Sequence, residues 1–339
     1  MKFRLLTAVT LVLVILFSGA CSGDDADPTQ PDPVATLAAT PTTQSGPTTA
    51  STMTEPTSTT RSQATTSLDV LGVVCEQDLV AGFQNIGCEE MSFDVALPGV
   101  CNEGGCGLIV DVHGYTGNGA LAEQHTGMQA LGNDAGYVVV QPNNTKDSWD
   151  PKVDDDRVRS FMDQLIDGLA LDINRVHIGG FSQGGWMTWR FVCDNSDLIA
   201  SAAPAGAGAS YPADEPVSGV SCDFDAESLP AAQVDILYIH GRSDSDVPFE
   251  TAVEQRDLVV SAWEMVESDI VADEPDYLWT RWASPKGTVF EFLEHDWRGG
   301  FLGGHCYPGG SGKVGCGTDT PVNYGEAALQ FYIDHPKNP

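Results

Sequence analysis

The sequence predicts an α/β fold: a mostly parallel, doubly wound sheet with helices on both faces. Three observations predict it. Strand-like and helix-like patterns alternate along residues 68–339, as they do when parallel strands are joined by helical crossovers. The stretch is roughly 270 residues long, which suits one large α/β unit. Finally, Gly180-Phe181-Ser182-Gln183-Gly184 reads G-x-S-x-G. It is entered by the apolar run Arg175–Gly179 and left by the helical pattern Trp186–Phe191. Strand, sharp turn and helix form the context of a nucleophile elbow, in which a serine at the tip of a strand projects clear of the sheet.

Taken in order, the chain begins with a stretch that reads as an export signal, residues 1–20. Lys2 and Arg4 precede the apolar run Leu5–Phe17, and Ser18-Gly19-Ala20 precede Cys21. The run is shorter than the ~20 residues that span a bilayer. Cys21 after small residues resembles a bacterial lipobox, with Ser18 where leucine is usual, so Cys21 is expected to carry a lipid. Residues 22–67 are rich in Thr, Ser, Pro, Ala and Asp, with almost no large apolar side chains. Such a segment cannot bury enough surface to order itself and reads as a linker. Residues 68–339 then form the folded unit.

Within it, Met91–Leu97 alternates as a half-buried strand does, and Gly107–Val112 reads as a buried strand. Ala120–Leu131 reads as a helix and Tyr137–Val140 as a strand ended by Gln141-Pro142-Asn143. Asp155–Leu169 carries Val158, Phe161, Met162, Leu165, Ile166 and Leu169 at helical spacing. After the elbow unit come strands at Ile199–Pro204 and Val234–Ile239. A helix over Pro248–Val266, a strand pair at Tyr277–Trp282 and Thr288–Leu293, and a closing helix at Tyr324–Ile333 complete the pattern.

In open α/β sheets, ligands bind beyond the carboxyl ends of the strands, so chemistry is sought there. After Val112 comes His113-Gly114-Tyr115-Thr116-Gly117-Asn118-Gly119. Such a glycine-rich turn can bring the Tyr115 N–H to an oxyanion, with the Gln183 N–H as the second donor. His113 itself reads as structural. After Ile239 comes His240-Gly241-Arg242-Ser243-Asp244-Ser245-Asp246-Val247-Pro248. Asp244 is the expected acid; Asp246, just before the next helix, is the competitor and reads as a helix cap. After the last strand comes Gly303-Gly304-His305-Cys306-Tyr307-Pro308, in which His305 is the expected general base. His125, His177, His295 and His335 are read as structural. Serine, acid, histidine is the chain order of the α/β-hydrolase triad.

Together, HGYTGNG, GFSQGG, HGRSDSDVP and GGHCYPGG resemble the extracellular polyhydroxybutyrate depolymerase-like and feruloyl or acetylxylan esterase-like hydrolases. The resemblance covers essentially all of residues 68–339. It implies Ser182 as nucleophile, Asp244 as acid, matching the aspartate of HGxxDxxVP, and His305 as base, matching the histidine of a GGxHxWPGG-type segment. The family often has alanine or serine at the Gln183 position and tryptophan at the Tyr307 position. The implied activity is hydrolysis of carboxylic esters through an acyl-enzyme, with no metal and no cofactor. The implied substrates are polyesters or esters linked to plant polysaccharide. Tyr115, Trp149, Trp186 and Tyr307, aromatic residues near strand ends, are candidate pocket residues, although Trp186, which starts the elbow helix, also reads as packing inward. A peptidase of the prolyl-oligopeptidase kind would need room for a β-propeller, and a dienelactone-type hydrolase usually has cysteine at the nucleophile position. A tethered, non-catalytic binding lipoprotein is the remaining alternative.

The chain carries 16 basic and 48 acidic residues, a net charge of −32. That charge disfavours nucleic acid and anionic membrane surfaces as partners. Contact with a membrane is expected only through the N-terminal lipid, at the outer cell surface, and the folded unit is expected to be a monomer. Of nine cysteines, Cys21 set aside leaves eight, and an exported chain meets an oxidising compartment. The expected pairing is local: Cys75–Cys88, Cys101–Cys106, Cys193–Cys222 and Cys306–Cys316. There is no C-x-x-C pair, and the cysteines are not grouped with histidines at the spacing of a zinc site.

Overall fold

A computed structural model describes residues 69–70, 73–75, 78–88, 91–209, 221–225 and 228–337. The expected export signal, Cys21 and the linker lie outside the described residues. A small antiparallel pair, β1 (Asp69–Val70) and β2 (Val73–Val74), comes first. Among the described residues the main sheet has ten strands. They are β3 (Gly82–Cys88), β4 (Met91–Leu97), β5 (Gly107–Val112), β6 (Tyr137–Asn144), β7 (Val176–Phe181) and β8 (Ser201–Ala205). β9 (Asp235–Gly241), β10 (Val266–Glu274), β11 (Tyr277–Ala283) and β12 (Val289–His295) complete it. Their spatial order is β10-β11-β12-β9-β8-β7-β5-β6-β4-β3. The six central strands, β12 to β6, are parallel, and an antiparallel pair extends each side.

The parallel strands are buried on both faces, as helical crossovers require. Side chains alternate between two cores. Leu108, Val110, Val112, Val138, Val140, Ile178 and Ile236 point to one face. There they meet α3 (Val153–Leu169) through Val158, Phe161, Met162 and Leu165, and α4 (Gln183–Asp194) through Trp186, Met187 and Trp189. α5 (Phe249–Ala262) adds Ala252 and Val259 to the same core. Ile109, Val139, Ala203, Leu237 and Ile239 point to the other face. α6 (Tyr324–Asp334) covers it with Tyr324, Ala328, Leu329 and Tyr332. Its Tyr324 hydroxyl donates to Ala203 O at 2.7 Å.

Three local expectations change. The helix expected over Ala120–Leu131 is two helices, α1 (Gly119–Thr126) and α2 (Met128–Asp134), because Gly127 adopts φ 61° between them. β6 runs through Pro142 to Asn144 instead of ending at Val140. Its pairing with β5 stops at Val140, while its pairing with β4 continues to Asn144. Pro142 therefore lies on a free edge, where a missing N–H costs no ladder bond. The helix expected to reach Val266 stops at Ala262, and β10 follows. Glu264 turns the chain with φ 51°. β10 is exposed at nearly every position and is held by its pairing with β11, so no burial pattern marks it.

The four disulfides of the described residues are Cys75–Cys88, Cys101–Cys106, Cys193–Cys222 and Cys306–Cys316, the same pairs as the local expectation.

Candidate active site

Ser182 lies between β7 and α4 with φ 58° and ψ −120°, a strained conformation for a residue with a side chain. The elbow is held by Ser182 N–H donating to Ala205 O at 2.9 Å and Trp186 N–H donating to Ser182 O at 3.1 Å. The turn is so tight that its flanking glycines have no space for a side chain. A Cβ on Gly180 would lie 2.6 Å from Gly184 backbone, and one on Gly184 would lie 2.6 Å from the Val112 carbonyl carbon. Gly184 thus packs the start of α4 directly against the end of β5.

The loop after β5 lies against the serine: a Cβ on Gly114 would come within 3.1 Å of Ser182 Cβ. Thr116 N–H donates to Asp147 O at 2.7 Å and Gly117 N–H to Gly114 O at 3.0 Å. Among the described residues, no acceptor takes the Tyr115 N–H, and the Gln183 N–H opens α4 with no carbonyl one turn back. Both of the expected oxyanion donors are thus unspent.

His113 is structural, as expected. It is buried, its Nδ1 hydrogen-bonds Gly114 O at 2.7 Å, and burial pushes its pKa down to about 4. The Gln183 side chain ties a second loop to the elbow. Its Oε1 accepts from Trp149 N–H at 3.3 Å, and its Nε2 donates to Ser148 Oγ at 3.0 Å.

Asp244, the expected acid, follows β9. Asp244 Oδ1 accepts the N–H groups of Asp246 and Val247 at 2.9 and 2.7 Å, and Asp244 Oδ2 faces His305 Nδ1 at 2.7 Å. Its side chain is fully buried. His240, at the end of β9, stands 3.4 Å from the same Oδ2 and hydrogen-bonds Val247 O at 3.0 Å. Burial lowers the His240 pKa, followed by opposing contributions led by the Asp244 charge. The loop carrying His305 is zipped to the loop carrying Asp244: Gly304 N–H donates to Ser243 O at 2.9 Å and Ser245 N–H to Leu302 O at 3.3 Å. Behind His305, Cys306–Cys316 staples the loop. His295, closing β12, is buried against Trp297 and pushed down to about 3, first by that burial.

Asp246 is not the cap expected of it. α5 is preceded by Pro248 with no side-chain cap. The Asp246 carboxylate instead stands 3.7 Å from His305 Nε2, on the opposite side of the ring from Asp244, and is half exposed.

Ser182 and His305 open onto a cavity of about 720 Å³. Its apolar walls are Tyr115, Leu121, Phe181, Phe301, Leu302 and Val314; Gln124, His125, Asp246 and Lys313 also reach it. Phe301 is 79% and Tyr115 58% exposed at its rim. Of the four aromatic residues expected in a pocket, Tyr115 lines this cavity and the other three do not. Trp149 and Trp186 are buried, with their indole N–H groups committed to His113 O at 2.9 Å and Gly208 O at 2.8 Å. Tyr307 is buried beneath the cavity, its ring 4.8 Å from that of His125 and 4.3 Å from that of Phe181. All three are scaffold. Two lining residues that the sequence reading missed, Phe301 and Leu302, lie among Gly299, Gly300, Gly303 and Gly304. An aromatic residue in a glycine-rich loop lacks neighbours to bury it, and that was the available signal.

No protein-family model matches the chain. It is 27% identical over 154 residues to the protein NocK of Nocardia uniformis subsp. tsuyamanensis, whose name places it among esterases; the match covers 42% of this chain and 41% of NocK. It is 29% identical over 144 residues to poly(3-hydroxyalkanoate) depolymerase C of Paucimonas lemoignei, covering 38% of this chain and 34% of that protein. The chain thus matches less than half the length of these relatives. Among solved structures, the acetyl xylan esterase from Aspergillus awamori superposes with a TM-score of 0.55 at 16% identity, covering 75% of this chain and 99% of that one. These are proteins of the kinds its motifs resemble. A sheet of this order, a G-x-S-x-G turn between β7 and α4, and this likeness give the chain the α/β-hydrolase fold.

Proposed function

We propose that this chain is an exported serine esterase that hydrolyses carboxylic esters through an acyl-enzyme. One observation carries the reading: His305 Nδ1 meets the buried Asp244 carboxylate at 2.7 Å while His305 and the strained Ser182 open onto the same cavity. With Nδ1–H donated to Asp244, Nε2 is the basic nitrogen, and it takes the Ser182 proton as Oγ attacks the acyl carbonyl. The Tyr115 and Gln183 N–H groups hold the oxyanion, each contributing about 3 kcal/mol to lowering the barrier. Protonated His305 gives its proton to the leaving alcohol, then activates the water that frees Ser182. Every step is carried by these side chains and backbone groups.

The apolar cavity walls favour an uncharged acyl group. Polyester and plant-polysaccharide esters are the substrate classes suggested by the motifs and by the names of the relatives. Disulfides in the folded unit support an oxidising compartment. The test is a panel of short p-nitrophenyl esters, polyhydroxybutyrate, acetylated xylan and methyl ferulate. The p-nitrophenyl esters turn over at a rate well above buffer, and one of the three natural-type substrates is preferred at least tenfold in kcat/KM. A folded protein that hydrolyses none of them contradicts the proposal.

A further inference from the structure

The Asp246 carboxylate has no role in the triad, yet it stands beside the triad's reacting nitrogen. Its Oδ2 is 3.7 Å from His305 Nε2, its side chain is 51% exposed, and it lines the cavity. Among the described residues no side chain or backbone group donates a hydrogen bond to it; its own N–H is the one committed, to Asp244 Oδ1 at 2.9 Å. An acceptor is thus held open next to the point where the ester bond breaks.

Geometry states what fits there. In the collapse of the tetrahedral intermediate the bond from acyl carbon to alcohol oxygen breaks. The electron pair stays on that oxygen, which takes the proton from Nε2. To do so it must lie within hydrogen-bond reach of Nε2. A site within reach of Nε2 and on the Asp246 side of the ring lies next to the carboxylate. A group attached one carbon away from the leaving oxygen reaches the Asp246 oxygen if it can donate a hydrogen bond. A gauche vicinal hydroxyl does so, since it sits about one hydrogen-bond length from its neighbour. The leaving alcohol of a β-hydroxyalkanoate polyester presents no such donor. Its nearest polar group is a carbonyl oxygen, which a carboxylate repels.

We infer that Asp246 selects the leaving alcohol, and that the preferred substrates are esters of vicinal diols, of which sugar esters are the polymeric class. The inference rests on the esterase reading above. An acceptor bearing full charge makes a stronger hydrogen bond than a neutral one. Exposure to water reduces the net gain, so a discrimination of about tenfold is expected.

The experiment compares two matched probes, the monoacetate of trans-1,2-cyclohexanediol and the same acetate with its free hydroxyl methylated. The wild-type protein hydrolyses the diol ester with a kcat/KM about tenfold higher. In Asp246→Ala the ratio falls to about one, and in Asp246→Asn, which keeps an acceptor oxygen, it is intermediate. Equal kcat/KM for the two probes in the wild-type protein overturns the inference, whether or not the variants fold. So does an Asp246→Ala variant that slows both probes by the same factor, since the carboxylate would then act only through the charge on His305. Hydrolysis of neither probe, nor of p-nitrophenyl acetate, removes the esterase reading and this inference with it.

Discussion

Asp244→Asn lowers kcat about 10⁴-fold, with KM little changed, because it reverses the tautomer of the base. The two oxygens of Asp244 have separate duties. Oδ1 accepts the backbone N–H groups of Asp246 and Val247, and Oδ2 accepts from His305 Nδ1. An asparagine keeps its single oxygen on the two backbone donors. Its amide NH₂ then faces His305 Nδ1, which must accept instead of donate. The proton moves to Nε2, and the nitrogen that should receive the serine proton is already filled. Asp246 cannot stand in, because it approaches the ring from the Nε2 side at 3.7 Å. Initial rates on p-nitrophenyl acetate for the variant and the wild-type protein measure the effect. A variant that keeps more than about a tenth of the activity would show that the acid has been assigned wrongly.

Gly184→Ala costs about 3 kcal/mol or more of folding stability and most of the activity. The added methyl overlaps the Val112 carbonyl oxygen and lies 2.6 Å from its carbon and 2.8 Å from His113 O. All three atoms are backbone, at the end of a central strand and the start of the oxyanion loop, and none can swing aside as the tip of a side chain would. Relief requires α4 to lift from β5. That moves Ser182 and the Gln183 N–H together, away from Gly114 and Tyr115. Gly99→Ala is the matched control, since a Cβ there meets nothing within 4 Å. Thermal or denaturant unfolding separates the two. Equal stability for the Gly184 and Gly99 variants would mean that the elbow tolerates looser packing than the geometry allows.

The elements legible in the sequence are those whose burial imposes a pattern. Leu108 to Val112 and Val138 to Val140 read as strands because both faces are covered and every position but Asp111 is apolar. That Ser182, Asp244 and His305 lie near one another was legible because each follows a strand of the parallel sheet, where topology gathers loops to one edge. β10 was not legible, since pairing with β11 rather than burial sustains it. The continuation of β6 through Pro142 was hidden for a related reason. Whether proline is tolerated depends on where the neighbouring strand β5 stops, and that is fixed by another part of the chain.

The cavity walls were the least legible part. An aromatic side chain near a strand end can pack down or face out, and only its neighbours decide. Trp149 packs down because Gln183 and His113 offer it hydrogen bonds there. Tyr307 packs down because His125 and Phe181 receive its ring. Phe301 faces out because its glycine neighbours offer nothing to cover it. Asp246 was misread for want of the His305 loop, which lies far away in sequence and adjacent in space.

The central claim is that Ser182 is a nucleophile activated by His305. Reaction with a fluorophosphonate probe tests it most directly, read by intact mass and by the modified peptide. The wild-type protein gains one probe adduct, located on Ser182; Ser182→Ala gains none, and His305→Ala reacts slower by at least about 10³-fold. A folded wild-type protein that stays unlabelled, or an adduct on another residue that persists in Ser182→Ala, would contradict it.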